Sequence, residues 1–437
     1  MNFFVIFVII FNVAVINLID SAETAPRRIS SDFIIDDSNS DEFDDFNVQT
    51  SYIEKGFTNS RSFGCGKVKS LLQTGTNVGN ISPEDIDIVA TMGDAIATGI
   101  GLWPGTDVEF RGAVFTTGGD ANIDGLPTVS NIIMEFNNKL EGVSHGMGSS
   151  HLLPHDQLNV AHSGAETDNL LTQANELVKR LNEIDATRSG EPLSEKWVLI
   201  FVTIGTEELC SKCDEPHIPS LRRTLTTLRK GIPNAIIVLI GPIHVSKSSQ
   251  QTYNLLKPRC PCLSKISNTK LRQIQRKWRE GFLQLEEEFN KREYTSFEVL
   301  TLPLLQITSR FPEQLFLAER PLLNRRGHAY AAKWLWNRLI SGPRYNVSKV
   351  MLSEESYYCP TLKCPYFRTS RNLQHCVTMT IAEYQRMFAT TPATDNAVTI
   401  NYRILRIVDH LVFSLGTVFY CHGLKQTKGR FENVPGV

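Results

Sequence analysis

Three short runs place polar or catalytic-type residues directly after apolar segments: Gly93-Asp94-Ala95, Ser163-Gly164-Ala165 and Gly205-Thr206-Glu207-Glu208. In the first, the segment 85–93 (DIDIVATMG) ends in Gly-Asp. Ala95 then stands where the sharp turn after such a strand often presents a reactive side chain. Ester hydrolysis needs an oxygen nucleophile, a base to take its proton and donors aimed at the oxyanion. A methyl group supplies none of these. Asp94, Glu207 and Glu319 offer carboxylate oxygens of the kind that bind Ca²⁺ or Mg²⁺, but no further ligands are identifiable, so neither a metal nor any other cofactor is expected. Cys210, Cys213, Asp214, Glu215 and His217 invite a zinc reading. A structural zinc site takes a second Cys/His pair at similar spacing, and a disulfide is the expectation instead. In CPC (260–262) each cysteine is expected to pair elsewhere.

The elements that would position these residues follow from the apolar pattern. Segments 85–93, 158–164, 196–205, 234–243 and 297–305 are short, β-branched and bounded by charged residues, Gly or Pro. Their near-continuous hydrophobicity implies strands covered on both faces, hence a parallel sheet. Between them, Leu170, Leu171, Ala174, Leu177, Val178 and Leu181 form one apolar stripe of a helix over 167–184, with Thr167 or Asp168 as its N-cap. Further helices are expected over 269–293 and 327–340. Strands alternating with helices imply an α/β fold: a doubly wound, mostly parallel five-stranded sheet flanked by helices. Chemistry in such a sheet sits beyond the carboxyl ends of the strands.

The chain has 437 residues, with 45 basic against 46 acidic side chains. That balance gives no reason to expect nucleic acid or an anionic membrane as partner. Residues 1–22, with the apolar run 3–19, read as a secretory signal peptide without a basic n-region, and Asp20 leaves the cleavage point open. A retained signal anchor tethering the protein to a membrane is the alternative. Residues 23–60 form an acidic segment expected to be disordered; seven acidic side chains and no basic ones fall within 31–46. Nine cysteines, and the sequons at Asn80 and Asn346, agree with a secreted glycoprotein. The odd count leaves at least one free or intermolecular thiol. Segment 404–421 is apolar but interrupted by Asp409 and His410, and its uninterrupted part is too short to span a bilayer.

Segments VATMGDAIATG, EFRGAVFTTGGDANIDGLPTVSNIIMEFN, LNVAHSGAETDNLLTQANELVKRL, IFVTIGTEELCSKC, CPCL, RRGHAYAAKWLWNRLI and CPTLKCPYFRTSRN carry a specific resemblance. In consistent order over roughly 65–375, they resemble the phospholipase B branch of the GDSL (SGNH) lipase/esterase family. The resemblance implies one domain over 65–345, a cysteine-containing extension over 346–376, and a tail of unknown structure over 377–437. It also implies a catalytic Ser, an oxyanion Gly, an oxyanion Asn followed by Asp, and an Asp-x-x-His before the last helix. Position by position, the serine falls on Ala95 and the glycine is retained as Gly164. Asn and Asp become Glu207 and Glu208, and Asp-x-x-His reads Glu319, Arg320, Pro321, Leu322. His328 matches a non-catalytic histidine of the family.

Loss of a triad serine or histidine alone costs on the order of 10⁶ in turnover. Binding and the oxyanion hole retain on the order of 10³ over water. An ionised Glu207 would repel the oxyanion, whereas a protonated one could donate to it. The expectation is a secreted pseudoenzyme whose strand-end cleft binds a lipid, an ester or a protein partner. Two alternatives stand beside it. One is an active esterase or phospholipase using a displaced nucleophile, with Ser163, His162, His145, His151 and His155 as material. The other is an interaction protein whose cleft has filled in.

Overall fold

The structure is a computed structural model describing residues 63–247, 253–342 and 358–389, apart from Pro104, Ala121, Asp124 and Arg310. The signal segment, the acidic run, Asn346 and the apolar segment 404–421 lie outside the described residues.

Four parallel strands, β1 (Ile86–Gly93), β2 (Trp197–Thr203), β3 (Ala235–Ile240) and β5 (Phe297–Leu302), lie in the order β1-β2-β3-β5. Every residue of β2 and β3 is buried, as two-faced coverage requires. Three helices link the strands: α3 (Leu170–Thr187), α4 (Ile218–Gly231) and α5 (Asn268–Asn290). With right-handed crossovers these three share one face. Helices α2 (Val129–Phe136) and α6 (Arg325–Ser341) contact each other. The last strand-to-helix transition of interest is the four-residue α1 (Ala95–Thr98), which follows β1 directly. A short C-terminal helix, α7 (Ile381–Ala389), lies within the expected tail.

The expected fifth strand, 158–164, is reduced to a single parallel bridge, Thr91↔Asn159, on the outer edge of β1. Thr91 N–H donates to Leu158 O, and Val160 N–H to Thr91 O. Beyond that point His162 N–H still reaches Gly93 O, but the Gly93 N–H that would continue the ladder to Val160 donates to the Gln173 carboxamide instead. Even so, this edge reverses the strand order at β1, as double winding requires.

The expected strands 234–243 and 297–305 each break. Gly241-Pro242 and Pro303 interrupt them, since proline has no N–H for a ladder. The chain resumes as β4 (Ile243–Ser246) and β6 (Leu305–Thr308), a separate parallel pair. The expected helix opens at Thr167 as a 3₁₀ turn, Thr167–Asn169, that runs directly into α3; its cap position is Glu166 rather than Thr167 or Asp168, whose side chains bond elsewhere, Thr167 to Glu208 and Asp168 to His217 and Ser220.

Four disulfides join Cys65–Cys359, Cys210–Cys260, Cys213–Cys262 and Cys364–Cys376. Cys210, Cys213 and the two CPC cysteines are therefore disulfide-bonded. Cys421 lies outside the described residues. Among the described residues no helix is long and apolar enough to cross a membrane.

Candidate functional site

The site begins at the turn leaving β1. Gly93 has φ 139°, and a Cβ there would stand 1.8 Å from Thr203 O on the neighbouring strand. Only glycine satisfies both demands. The Gln173 carboxamide clamps this residue, accepting from Gly93 N–H at 2.7 Å and donating to Gly93 O at 3.0 Å. Asp94 then caps α1, accepting from Ile96 N–H at 3.0 Å and from Thr206 N–H at 3.2 Å. Ala95 follows as the first helical residue, 8% exposed. Burial pushes the Asp94 carboxyl up to about 7; the two N–H donors oppose this, and nearby Glu207 and Glu208 add to it.

The second wall is the turn at Ser163-Gly164, both exposed. Gly164 has φ 79°, and a Cβ built on it meets nothing within 4 Å, so the space above it is open. Ser163 Oγ donates to Glu109 Oε1 at 2.7 Å and lies 2.9 Å from Thr98 Oγ1, whose hydroxyl also reaches Ala95 O. Glu109 in turn pairs with Arg111 at 2.6 Å. Arg111 is fully buried and also donates to Asn159 and to the carbonyl of Ala161. Sequence reasoning missed Glu109, Arg111 and Thr98; their only signal was that Glu109-Phe-Arg111 opens a segment of the resemblance. Of the loop histidines, His145 pairs with Asp120 and His155 with Glu183. His151 and His162 approach to 5.3 Å between ring centroids. Burial, then the neighbouring His151 and Arg111 charges, hold His162 below the ordinary imidazole range.

The third wall leaves β2. Glu207, half-buried, accepts from Ser211 Oγ at 2.9 Å and precedes a single π-helical turn, Glu208–Lys212. Glu208 is buried; its Oε1 accepts from the Thr167 N–H and hydroxyl, while its Oε2 has no hydrogen-bond partner. Burial raises this carboxyl to about 7. Cys210–Cys260 and Cys213–Cys262 fasten the turn to the segment ahead of α5.

The fourth element precedes α6. Leu322 is 5% exposed and packs into the main core, with its Cβ 3.3 Å from where a Cβ on Gly101 would stand. Glu319 is exposed. Among the described residues no three His, Cys, Asp or Glu side chains group as a metal site, so Asp94, Glu207 and Glu319 do not converge. His328 is fully buried, with Nδ1 accepting from Phe115 N–H at 3.2 Å, and burial drops it to about 3. It is a neutral core residue.

Three of these four elements are therefore turns that fix backbone donors and carboxylates, while Ala95 and Leu322 contribute a methyl and an isobutyl group. The family model described as GDSL-like Lipase/Acylhydrolase matches residues 89–335, more than half of the chain, and takes in all four elements. The chain is similar to the membrane-associated phospholipase B1 of Mus musculus, 26% identical over 347 residues, and to that of Homo sapiens, 25% identical over 347 residues. Each alignment covers 71% of this chain and 23% of the relative, so the chain spans under a quarter of the length of these curated relatives. Among solved structures, a carbohydrate esterase family 3 protein from Talaromyces cellulolyticus is 12% identical and covers 57% of this chain and 94% of its own. Its TM-score of 0.31 is too low to add to the assignment. On the family match and the fold around β1, β2 and α6, the chain belongs to the GDSL-like lipase/acylhydrolase family.

Proposed function

We propose that this chain is a secreted pseudoenzyme of its family, keeping the strand-end cleft as a binding site for a lipid or ester and no longer hydrolysing it. The observation that carries the reading is Ala95. It occupies the capped first position of α1, where the family's nucleophile belongs, and a methyl group has no lone pair to form an acyl-enzyme. Leu322 reinforces it, since a buried isobutyl group neither takes nor returns a proton. The open space at Gly164 favours a cleft that still admits a ligand over one that has filled in. Four disulfides favour an oxidising compartment.

A second reading, hydrolysis by a displaced nucleophile, has one observation in its favour: Ser163 is exposed, bonded to a carboxylate, and precedes Gly164. Against it, Glu109 is already ion-paired with Arg111. Incubating the purified protein with a fluorophosphonate probe and mapping adducts by mass spectrometry separates the two. The pseudoenzyme reading expects no adduct, together with saturable binding of vesicle-borne or micellar ester. An adduct on Ser163, with p-nitrophenyl ester turnover abolished by Ser163→Ala, would establish the second.

A further inference from the structure

Charge is unevenly distributed along this nearly neutral chain. From residue 216 to residue 279 there is no Asp or Glu, against thirteen Lys and Arg, although acids and bases balance over the whole sequence. The stretch supplies α4, the turn carrying Cys260 and Cys262, and the first half of α5. Several of its cations are occupied: Arg222 pairs with Glu288 at 2.8 Å, Arg259 with Glu313 at 2.6 Å, and Arg229 lies over the Tyr294 ring at 4.3 Å. Six are not. Lys265, Lys270, Arg272, Arg276, Lys277 and Arg279 are exposed and meet no carboxylate among the described residues.

Helix geometry sorts the six. Arg272, Arg276 and Arg279 follow one another at i, i+4 and i+7, so they stand in one row along about 10 Å of α5. Gly281, roughly 200° round the helix from Arg279, packs against Pro216 and Ile218, and the Trp278 indole donates to Asp214 O. The exposed Asp214 and Glu215 therefore border the other flank of α5, away from the arginine row. Glu280 is exposed and pairs with none of the six, and Glu286, further along, turns inward to accept the Thr301 N–H. Like charges four residues apart oppose helix formation, and Lys270 in the first turn also opposes the helix dipole. The row is thus unfavourable for α5 by itself, and an external anion is what would offset it.

We propose that this face, centred on Arg272, Arg276 and Arg279, is a docking surface for a linear sulfated polysaccharide. A guanidinium presents paired N–H donors in a planar fork that matches the oxygens of a sulfate, and a row of three suits a chain carrying such groups in series. A bilayer fits less well. The apolar side of α5, with Leu271, Ile274, Trp278 and Phe282, is buried in the core, and Leu283 is the one large apolar side chain the helix exposes, so little is available to insert. The oxidising compartment favoured by the four disulfides is one in which sulfated polysaccharides, rather than nucleic acids, are the linear polyanions. The surface is independent of the strand-end cleft, so it stands whether or not that cleft binds an ester.

The test is calorimetric titration of the purified full chain with a heparin decasaccharide at neutral pH and physiological salt, with the desulfated decasaccharide and phosphatidylserine vesicles as comparators. The chain as a whole is close to neutral there, so binding reports the local face rather than bulk charge. Saturable binding of the sulfated decasaccharide is expected, weakening steeply as salt is raised, with no binding of the desulfated one. The combined change Arg272→Gln, Arg276→Gln and Arg279→Gln, checked for native circular dichroism, should weaken it at least about 10-fold, the scale of three exposed ion pairs lost together. The combined change Lys139→Gln, Lys179→Gln and Lys363→Gln removes as much charge from exposed positions on other elements and should alter binding less than about 2-fold. The proposal is overturned if the sulfated decasaccharide does not bind, if the desulfated one binds as well, if the lysine changes weaken binding as much as the arginine changes, or if the vesicles capture the chain through these arginines while the decasaccharide does not.

Discussion

Asp94 ties Thr206 to the turn after β1: one carboxylate oxygen accepts the Thr206 N–H while the other caps α1 through Ile96. A single side chain thus sets the spacing between the walls that carry Ala95 and Glu207. Asp94→Ala removes a cap and a cross-strand acceptor in a buried place, where the two effects together cost about 1–3 kcal/mol. A thermal melt should show a midpoint lowered by roughly 3–10 °C. An unchanged midpoint would mean that the turn is held by Gly93 and Gln173 alone.

The two glycines of the site should respond differently to the same change. Gly93→Ala puts a methyl group 1.8 Å from Thr203 O and cannot be absorbed without parting β1 from β2, so little soluble protein is expected. Gly164→Ala has open space and only an unfavourable φ of 79° to meet. It should fold, destabilised by about 1–2 kcal/mol, as measured by urea titration.

Stability should vary with pH through three buried groups. Asp94 and Glu208 are each raised to about 7, above their unfolded values near 4, so the folded state holds more protons between those limits. Their contribution is complete below about pH 4 and is lost as pH rises through 7. His328, lowered to about 3, acts in the other direction: below about pH 6.5 the unfolded chain takes up a proton that the folded chain refuses. Urea unfolding from pH 5 to 8 should show wild-type stability declining through neutrality, with Glu208→Gln flattening the slope. A slope untouched by Glu208→Gln would rule out this carboxyl as a source.

Restoring the nucleophile alone should fail. Ala95→Ser supplies a hydroxyl but no base, since the expected histidine position is a buried leucine, Leu322, and p-nitrophenyl ester turnover should stay at background. Ala95→Ser combined with Glu207→Asn and Leu322→His is the variant expected to gain measurable turnover. Activity from the single change would show that another side chain, such as Glu109, which reaches that turn through Ser163 and Thr98, serves as base.

Zinc should be absent in stoichiometric amount. Non-reducing peptide mapping should recover Cys210 with Cys260 and Cys213 with Cys262, and metal analysis of the native protein should find well under one zinc per chain. Stoichiometric zinc with free thiols at those positions would reverse the assignment.

The apolar runs disclosed β1, β2, β3 and β5 because buried parallel strands are hydrophobic on both faces, and that signal does not depend on neighbours. The run at 158–164 misled for the opposite reason: the Gly93 N–H that would continue its ladder is taken by Gln173, a partner 80 residues away that no local pattern displays. Ala95, Gly164 and Leu322 were singled out through the family resemblance; the structure puts Ala95 at the start of α1, Gly164 in an exposed turn and Leu322 in the core. Glu109 and Arg111 were not singled out, since their place beside Ser163 comes from a loop folding back across the cleft. The CPC pairs lay between the two cases, readable as oxidised but without partners until α5 brought 260–262 against the π-helical turn.

Two covalent bonds and one carboxylate clamp fix the loop bearing Glu207, at Cys210, Cys213 and Thr206. A rim anchored so closely on both sides has no slack with which to wrap around a visitor. For the ligand proposed for this cleft, that rigidity implies selection by exclusion of molecules that do not already match its contour.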